Sequence, residues 1–122
     1  MGRVIHFEIN AGAPERVATF YEQVFGWQVR PLSGSSPYWL ITTGDVDRPG
    51  IDGGMMQART GSEQPLTAVV RVENLDDALE RLRSHGGLVT IPPQPVPGVG
   101  LMAYGTDPEG REFGLMQLDE SV

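Results

Sequence analysis

The chain has 122 residues, 39% of them hydrophobic, and 16 acidic side chains against 9 basic ones give a net charge of −7. This length suits one domain burying roughly two thirds of its unfolded surface, and the acidic balance speaks against nucleic acid and anionic membrane surfaces as partners. Without cysteine there are no disulfides, thiolate metal sites or thiol nucleophiles, and without a signal core or a long apolar run the expected location is cytoplasmic.

Residues 4–10, VIHFEIN, alternate in the manner of a strand with one covered face. Ile5, Phe7 and Ile9 supply bulk on one side; His6, Glu8 and Asn10 take the other. Next comes APERVATFYEQVFG, which reads as an amphipathic helix. Pro14 suits its first turn and Glu15 the positive end of its dipole. Val17, Phe20, Tyr21, Val24 and Phe25 form the apolar stripe, and Gly26 offers a left-handed stop. Strands are expected in WQVRPL, YWLITT and IDGGMMQ, with QARTGSEQP at residues 57–65 as a linker.

The second half repeats this order. LTAVVRV is a strand and NLDDALERLRSHGG a helix, with Asn74 as N-cap and Leu75, Ala78, Leu79 and Leu82 on its stripe. LVTI, LMAYG and EFGLMQL are strands, the last two joined by the turn TDPEGR. A shift of 61 residues, half the length, lays Gly26 on Gly87, Gly44 on Gly105, Gly53 on Gly114 and Leu40 on Leu101. The expected fold is α+β: two βαβββ modules, about residues 3–58 and 66–119, making one domain over 1–122. Their mixed, curved sheet encloses a trough. Each helix covers one sheet face, so His6, Glu8 and Asn10 line the trough from one module and Thr67, Val69 and Arg71 from the other.

His6 in such a trough can hydrogen-bond a neighbour, contact a bound molecule, move a proton near its ordinary pKa of about 6.5, or bind metal. Glu8 is a general base if desolvation raises its pKa, or the partner of Arg71. Arg71 alternatively clamps a ligand carboxylate or phosphate. His85 belongs to the C-terminal turn of the second helix, where a positive charge is favourable. Tyr38, Trp39, Tyr104, Met55, Met56, Met102 and Met116 are candidates for the trough wall, for the core or for a dimer interface. Gly53 and Gly114 either widen the trough or allow close packing. Residues 91–100, IPPQPVPGVG, read as a stiff connection or a rim. No Gly-rich phosphate loop, GxSxG elbow or HExxH helix occurs.

The paired modules, VIHFEIN followed by FYEQVFGW, and DPEGREFGLMQ near the end together resemble the vicinal oxygen chelate superfamily of glyoxalase I, bleomycin-resistance proteins and extradiol dioxygenases. Within it the chain is similar to small bacterial glyoxalase-like proteins. The resemblance implies a divalent metal held by the first and last strands of each module, accepting two neighbouring substrate oxygens. Carried over position by position, the metal ligands fall at His6, Thr67, Gly114 and near Gly53, which leaves a single imidazole. The expected function is therefore metal-free binding or sequestration of a small organic molecule, aromatic or cationic, by a homodimer that holds no cofactor. The ligand pocket is expected at His6, Glu8, Thr67, Arg71, Gly114 and Met116, with no assigned catalytic residue. The alternative is a lyase, isomerase or dioxygenase-type enzyme using His6 and Glu8, through a divalent metal or by acid–base chemistry alone.

Overall fold

A computed structural model describes residues 2–33 and 37–122. The chain divides into two compact units, His6–Leu66 and the remainder, which joins the residues up to Ile5 to Thr67–Val122. The order strand, helix, three strands occurs in both halves.

In the first half, β1 (Arg3–Ala11) leads into α1 (Pro14–Phe25), then β2 (Gln28–Leu32), β3 (Tyr38–Thr42) and β4 (Gly53–Gln57). β4 inserts beside β1 in parallel, β3 pairs antiparallel with β4, and β2 takes the outside. A parallel pair needs a crossover, and α1 with the β2–β3 hairpin supplies it. The helix begins at Pro14, buried at N1, and stops at Gly26, whose φ of 72° provides the left-handed cap.

Register fixes the two faces of this sheet. Phe7, Ile9 and Ala11 align with Gly53, Met55 and Gln57, and Trp39 and Ile41 with Met55 and Gly53. Phe7, Ile9, Ala11, Trp39, Ile41 and Met55 pack with Val17, Ala18, Trp27 and Val29. The predicted α1 stripe is corrected in part. Val17 and Tyr21 turn inward, Tyr21 stacking on Trp27 at 4.8 Å, whereas Phe20, Val24 and Phe25 are more than half exposed. The apolar arc of the sequence is wider than the strip a four-stranded sheet can cover.

The second half has the same topology. β5 (Leu66–Arg71) precedes α2 (Leu75–Ser84), β6 (Leu88–Val96), β7 (Gly100–Thr106) and β8 (Glu112–Leu118), and β8 lies parallel to β5. The Asn74 side chain accepts the Asp77 N–H at 2.9 Å, as an N-cap should. Leu75 and Leu79 are buried against Ala103 and Leu115, each contributing about 2 kcal/mol by removal from water. His85 caps the far end, its Nδ1 2.8 Å from the Arg81 carbonyl. In the β7–β8 turn, Asp107 Oδ1 accepts the Glu109 and Arg111 N–H groups, and Gly110 takes a φ of 84°.

Two sequence expectations change here. The prolines of residues 91–100 form no separate rim or connection: Ile91–Val96 continue β6, with register shifts against β7 between Val89 and Gln94. β6 ends the strand order, so a proline lacking its N–H costs no ladder bond on the outer side. The 57–65 segment is likewise held rather than loose. Asn10 hydrogen-bonds the Gln64 and Pro65 carbonyls, and the Glu63 carboxylate accepts the Thr60 and Gly61 N–H groups.

Candidate functional site

The helix-free face of the first module carries His6, Glu8 and Asn10 on β1, Gly54 and Met56 on β4, and Tyr38 and Leu40 on β3, because residues paired across strands point the same way. Glu8 is 4% exposed. Burial of the Tyr38 phenol, together with the Glu8 charge beside it, pushes its pKa well above the usual value and keeps it protonated. His6 Nε2 lies 3.4 Å from the same hydroxyl. The phenol thus lies against the imidazole and within electrostatic reach of the carboxylate.

Gly54 makes this junction fit. It pairs with Glu8 on one side and Leu40 on the other, and a Cβ there would run into the Tyr38 hydroxyl. This corrects the sequence alignment, which put Gly53 on the trough side. Gly53 faces the helix and leaves room for the Phe7 ring. A uniform shift of 61 misses this because the intervening loops of the two halves differ in length.

Asp52, just ahead of β4, fastens the loop back through its Oδ1, which accepts the Thr43 N–H at 2.9 Å. Burial lowers the pKa of His6, and the Asp52 charge partly opposes the shift. The same cross-strand row ends at Arg30 on the outer strand, opposite Leu40 and exposed. Three strand spacings, about 14 Å, separate it from Glu8.

In the second module the predicted residues also share one face. Thr67 and Val69 are buried on β5; Arg71 is exposed at its end, opposite Met116. Gly114 pairs with Val69 and Tyr104. A Cβ on it would stand 3.0 Å from Met102 Cε, 3.2 Å from Val69 Cγ2 and 3.3 Å from Tyr104 Cε2. The space above Gly114 is therefore taken by its neighbours, which decides between a widened trough and close packing in favour of packing. Gly54 is the residue of this face that the sequence reading left unassigned, and Tyr38 entered it only as one of several candidates for the trough wall, the core or a dimer interface. The available signal was the pair Gly53–Gly54 in a strand, since glycine there marks close approach by another group.

The divalent metal that the resemblance implies needs several converging nitrogen or oxygen ligands. Among the described residues no group of three or more His, Asp or Glu side chains converges in that way. The positions that the resemblance sets against the expected ligands hold Gly54, Gly114 and Thr67.

The lowered pKa of His6 has a consequence for stability. Below about pH 6.5 the unfolded chain takes up a proton that folded His6, with its lower pKa, resists, so stability falls as pH drops through that window. Glu8, Tyr38 and Asp52 are the titratable groups around it. The melting temperature is expected to fall less between pH 8 and pH 5 (roughly the span over which an ordinary His titrates) in His6→Gln than in the unmodified protein. Parallel losses in the two would contradict this assignment.

Sequence and structure comparisons identify the family and the fold. The profile of the Glyoxalase/Bleomycin resistance protein/Dioxygenase superfamily matches residues 3–115, and the chain belongs to that superfamily. Among individual relatives it is similar to CFP32, provisionally named a glyoxylase, of Mycobacterium tuberculosis and Mycobacterium bovis, at 25% identity over 118 residues. That match covers 95% of this chain and 44% of CFP32, so the chain spans less than half the length of these relatives. Among solved structures, methylmalonyl-CoA epimerase from Mycobacterium tuberculosis superposes with a TM-score of 0.71 at 14% identity, covering 97% of this chain and 89% of that one. A Streptomyces coelicolor methylmalonyl-CoA epimerase variant in complex with 2-nitronate-propionyl-CoA gives 0.72 at 13% identity, over 95% and 94%. At these identities the likeness is one of fold.

Proposed function

We propose that this protein binds a small organic molecule without a metal, through a face whose polar anchor is His6, Glu8 and Tyr38. The observation that carries the reading is the filling of the glycine slots. Tyr38 lies over Gly54, and Met102, Val69 and Tyr104 crowd Gly114, where the superfamily resemblance places metal ligands. The corresponding face of the second module carries Thr67, Arg71, Gly114 and Met116. A buried carboxylate and a net charge of −7 favour neutral or cationic ligands over anions, and the aromatic and thioether side chains favour an aromatic body. A cytoplasmic homodimer is part of the proposal; sedimentation velocity tests the stoichiometry.

Elemental analysis of untagged protein separates this from the metal-dependent alternative. Well under one equivalent of Zn, Ni, Mn or Fe per chain is expected. About one equivalent, lost in His6→Ala, would overturn the reading. A panel of cationic aromatic compounds should contain one that raises the melting temperature, by an amount set by mass action, about 2.7 kcal/mol at a hundredfold excess over Kd.

A second reading, proton transfer by His6 or Glu8, is favoured by the contact of imidazole and phenol on the face that bears a buried carboxylate. The relatives named above for an epimerase and a glyoxylase activity are consistent with it. Under this reading His6→Ala abolishes turnover while the fold survives; turnover that persists eliminates it.

A further inference from the structure

We infer that the outer flank of α1 is where two copies of this protein pair, their helices running antiparallel about a twofold axis through the stretch from Phe20 to Val24. The inference rests on the homodimer of the proposed function, to which it gives a surface, and is independent of the ligand.

The two halves of the chain supply a contrast. α2 is finished for solvent: Leu75 and Leu79 are buried, Leu82 is half-buried, and none of its large apolar side chains is exposed. Asp76 and Asp77 occupy its first turn and Arg81 and Arg83 its last, so each charge suits the dipole of its own helix. α1 stands at the same place in the repeat and lacks this finish. Phe20 is 55%, Val24 52% and Phe25 61% exposed, and its last turn carries no basic residue. Arg16 lies in the first turn, near the positive end of the dipole, where a cation is unfavourable. Among the described residues Arg16 has no ion pair; the salt bridges are those of Arg111.

Arg16, Phe20 and Val24 are spaced i, i+4, i+8 and form one row along the helix, with Gln23 beside it. By the helical period, Glu15 and Glu22 fall well round the helix from that row. The row is therefore apolar with one cation and no anion. Antiparallel pairing of two such rows sets Phe20 of each copy against Val24 of the other. It also brings each Arg16 to the C-terminal turn of the other helix, whose end carbonyls have no basic side chain of their own. One arrangement thus covers the apolar row and gives the misplaced charge a favourable dipole end. Phe20, Val24 and Phe25 together present about 300 Å² of apolar surface, a size at which a patch is often functional. Even with Arg16 and Gln23 at its rim, this falls short of the roughly 800 Å² per partner of a standard interface, so the dimer is reversible.

Sedimentation velocity of the full chain at rising concentration tests the pairing. Exchange between monomer and dimer is expected, and Phe20→Glu should stay monomeric throughout while keeping the circular dichroism of the unmodified protein. Arg16→Glu gives the sharper readout, because it improves the match of α1 to its own dipole. Its dimer should dissociate about tenfold more readily, while the melting temperature of the dilute monomer is unchanged or higher. The double variant Arg16→Glu/Gln23→Lys, which exchanges the charges that meet across the axis, should restore association. Arg83→Glu makes the same change of net charge on α2 and should leave association unaltered.

Dimerisation undiminished by either Phe20→Glu or Arg16→Glu overturns the inference and leaves the homodimer standing. An equal loss in Arg83→Glu, or a double variant no tighter than Arg16→Glu, does the same. A chain that is monomeric at every concentration overturns the homodimer and this inference with it. Should Phe20→Glu fail to fold, Arg16→Glu and the double variant decide, since they alter only exposed polar positions.

Discussion

Gly54→Ala is expected to lower the stability of the protein by about 1–3 kcal/mol, and to move the Tyr38 hydroxyl away from His6. The new methyl would enter the space of the Tyr38 hydroxyl and the ring carbon that bears it. A tyrosine ring end can swing away, so the fold should survive. The swing gives up the hydroxyl's hydrogen bond with His6, worth about 0.5–1.5 kcal/mol. Overpacking adds about 1–3 kcal/mol, offset in part by the smaller backbone entropy of alanine, about 0.5–1 kcal/mol. Chemical denaturation measures the sum. Gly12→Ala is the matched control: a Cβ there meets nothing within 4 Å, and its effect should stay within about 0.5 kcal/mol. Equal effects from the two substitutions would mean that Tyr38 is not seated over Gly54.

The second large effect is expected at Gly100, at the start of β7. Its φ of 153° lies where side chains are strained, and a Cβ would run into the Gln117 carbonyl oxygen and stand 2.9 Å from the Asp119 nitrogen. Both obstacles are backbone. Gly100 is paired with Leu118 and Leu101 with Gln117, so relief requires the β7–β8 ladder to shift. Strain of about 1–3 kcal/mol for the backbone conformation adds to the steric cost. Gly100→Ala should therefore destabilise by about 4 kcal/mol or more, a large part of the 5–15 kcal/mol typical of a whole domain. Loss of soluble protein, or a denaturation midpoint below that of Gly54→Ala, is the expected result. A midpoint above it would show that the β7–β8 ladder yields more readily than the Tyr38 ring.

Much of the framework was legible before any coordinates. The ends of α1 follow from Pro14 and Gly26, and the start of α2 from Asn74, because a cap acts on backbone groups within a turn of itself. Alternation in VIHFEIN placed His6 and Glu8 together on the face away from the helix, as observed. The repeat of strand, helix and three strands was visible in the spacing of these same signals. The extent of β6 was not, because a run of prolines forbids a central strand and is harmless only at an edge. Neither was the exposure of Phe20, Val24 and Phe25. Periodicity identifies an apolar arc, but how much of it is covered depends on the width of the sheet beneath.

The sequence by itself determined the elements, their order, the repeat and the polar face that bears His6 and Glu8, since each depends on residues within a few positions of one another. Tertiary structure alone decided what lies against that face. The phenol beside Glu8 comes from β3, thirty positions along the chain, and it fits only because register sets Gly54 rather than Gly53 beneath it. A one-residue change of register turns every side chain of a strand to its opposite face. Local pattern does not specify which strand, in which register, lies alongside, and that choice set a phenol against the imidazole, next to a buried carboxylate.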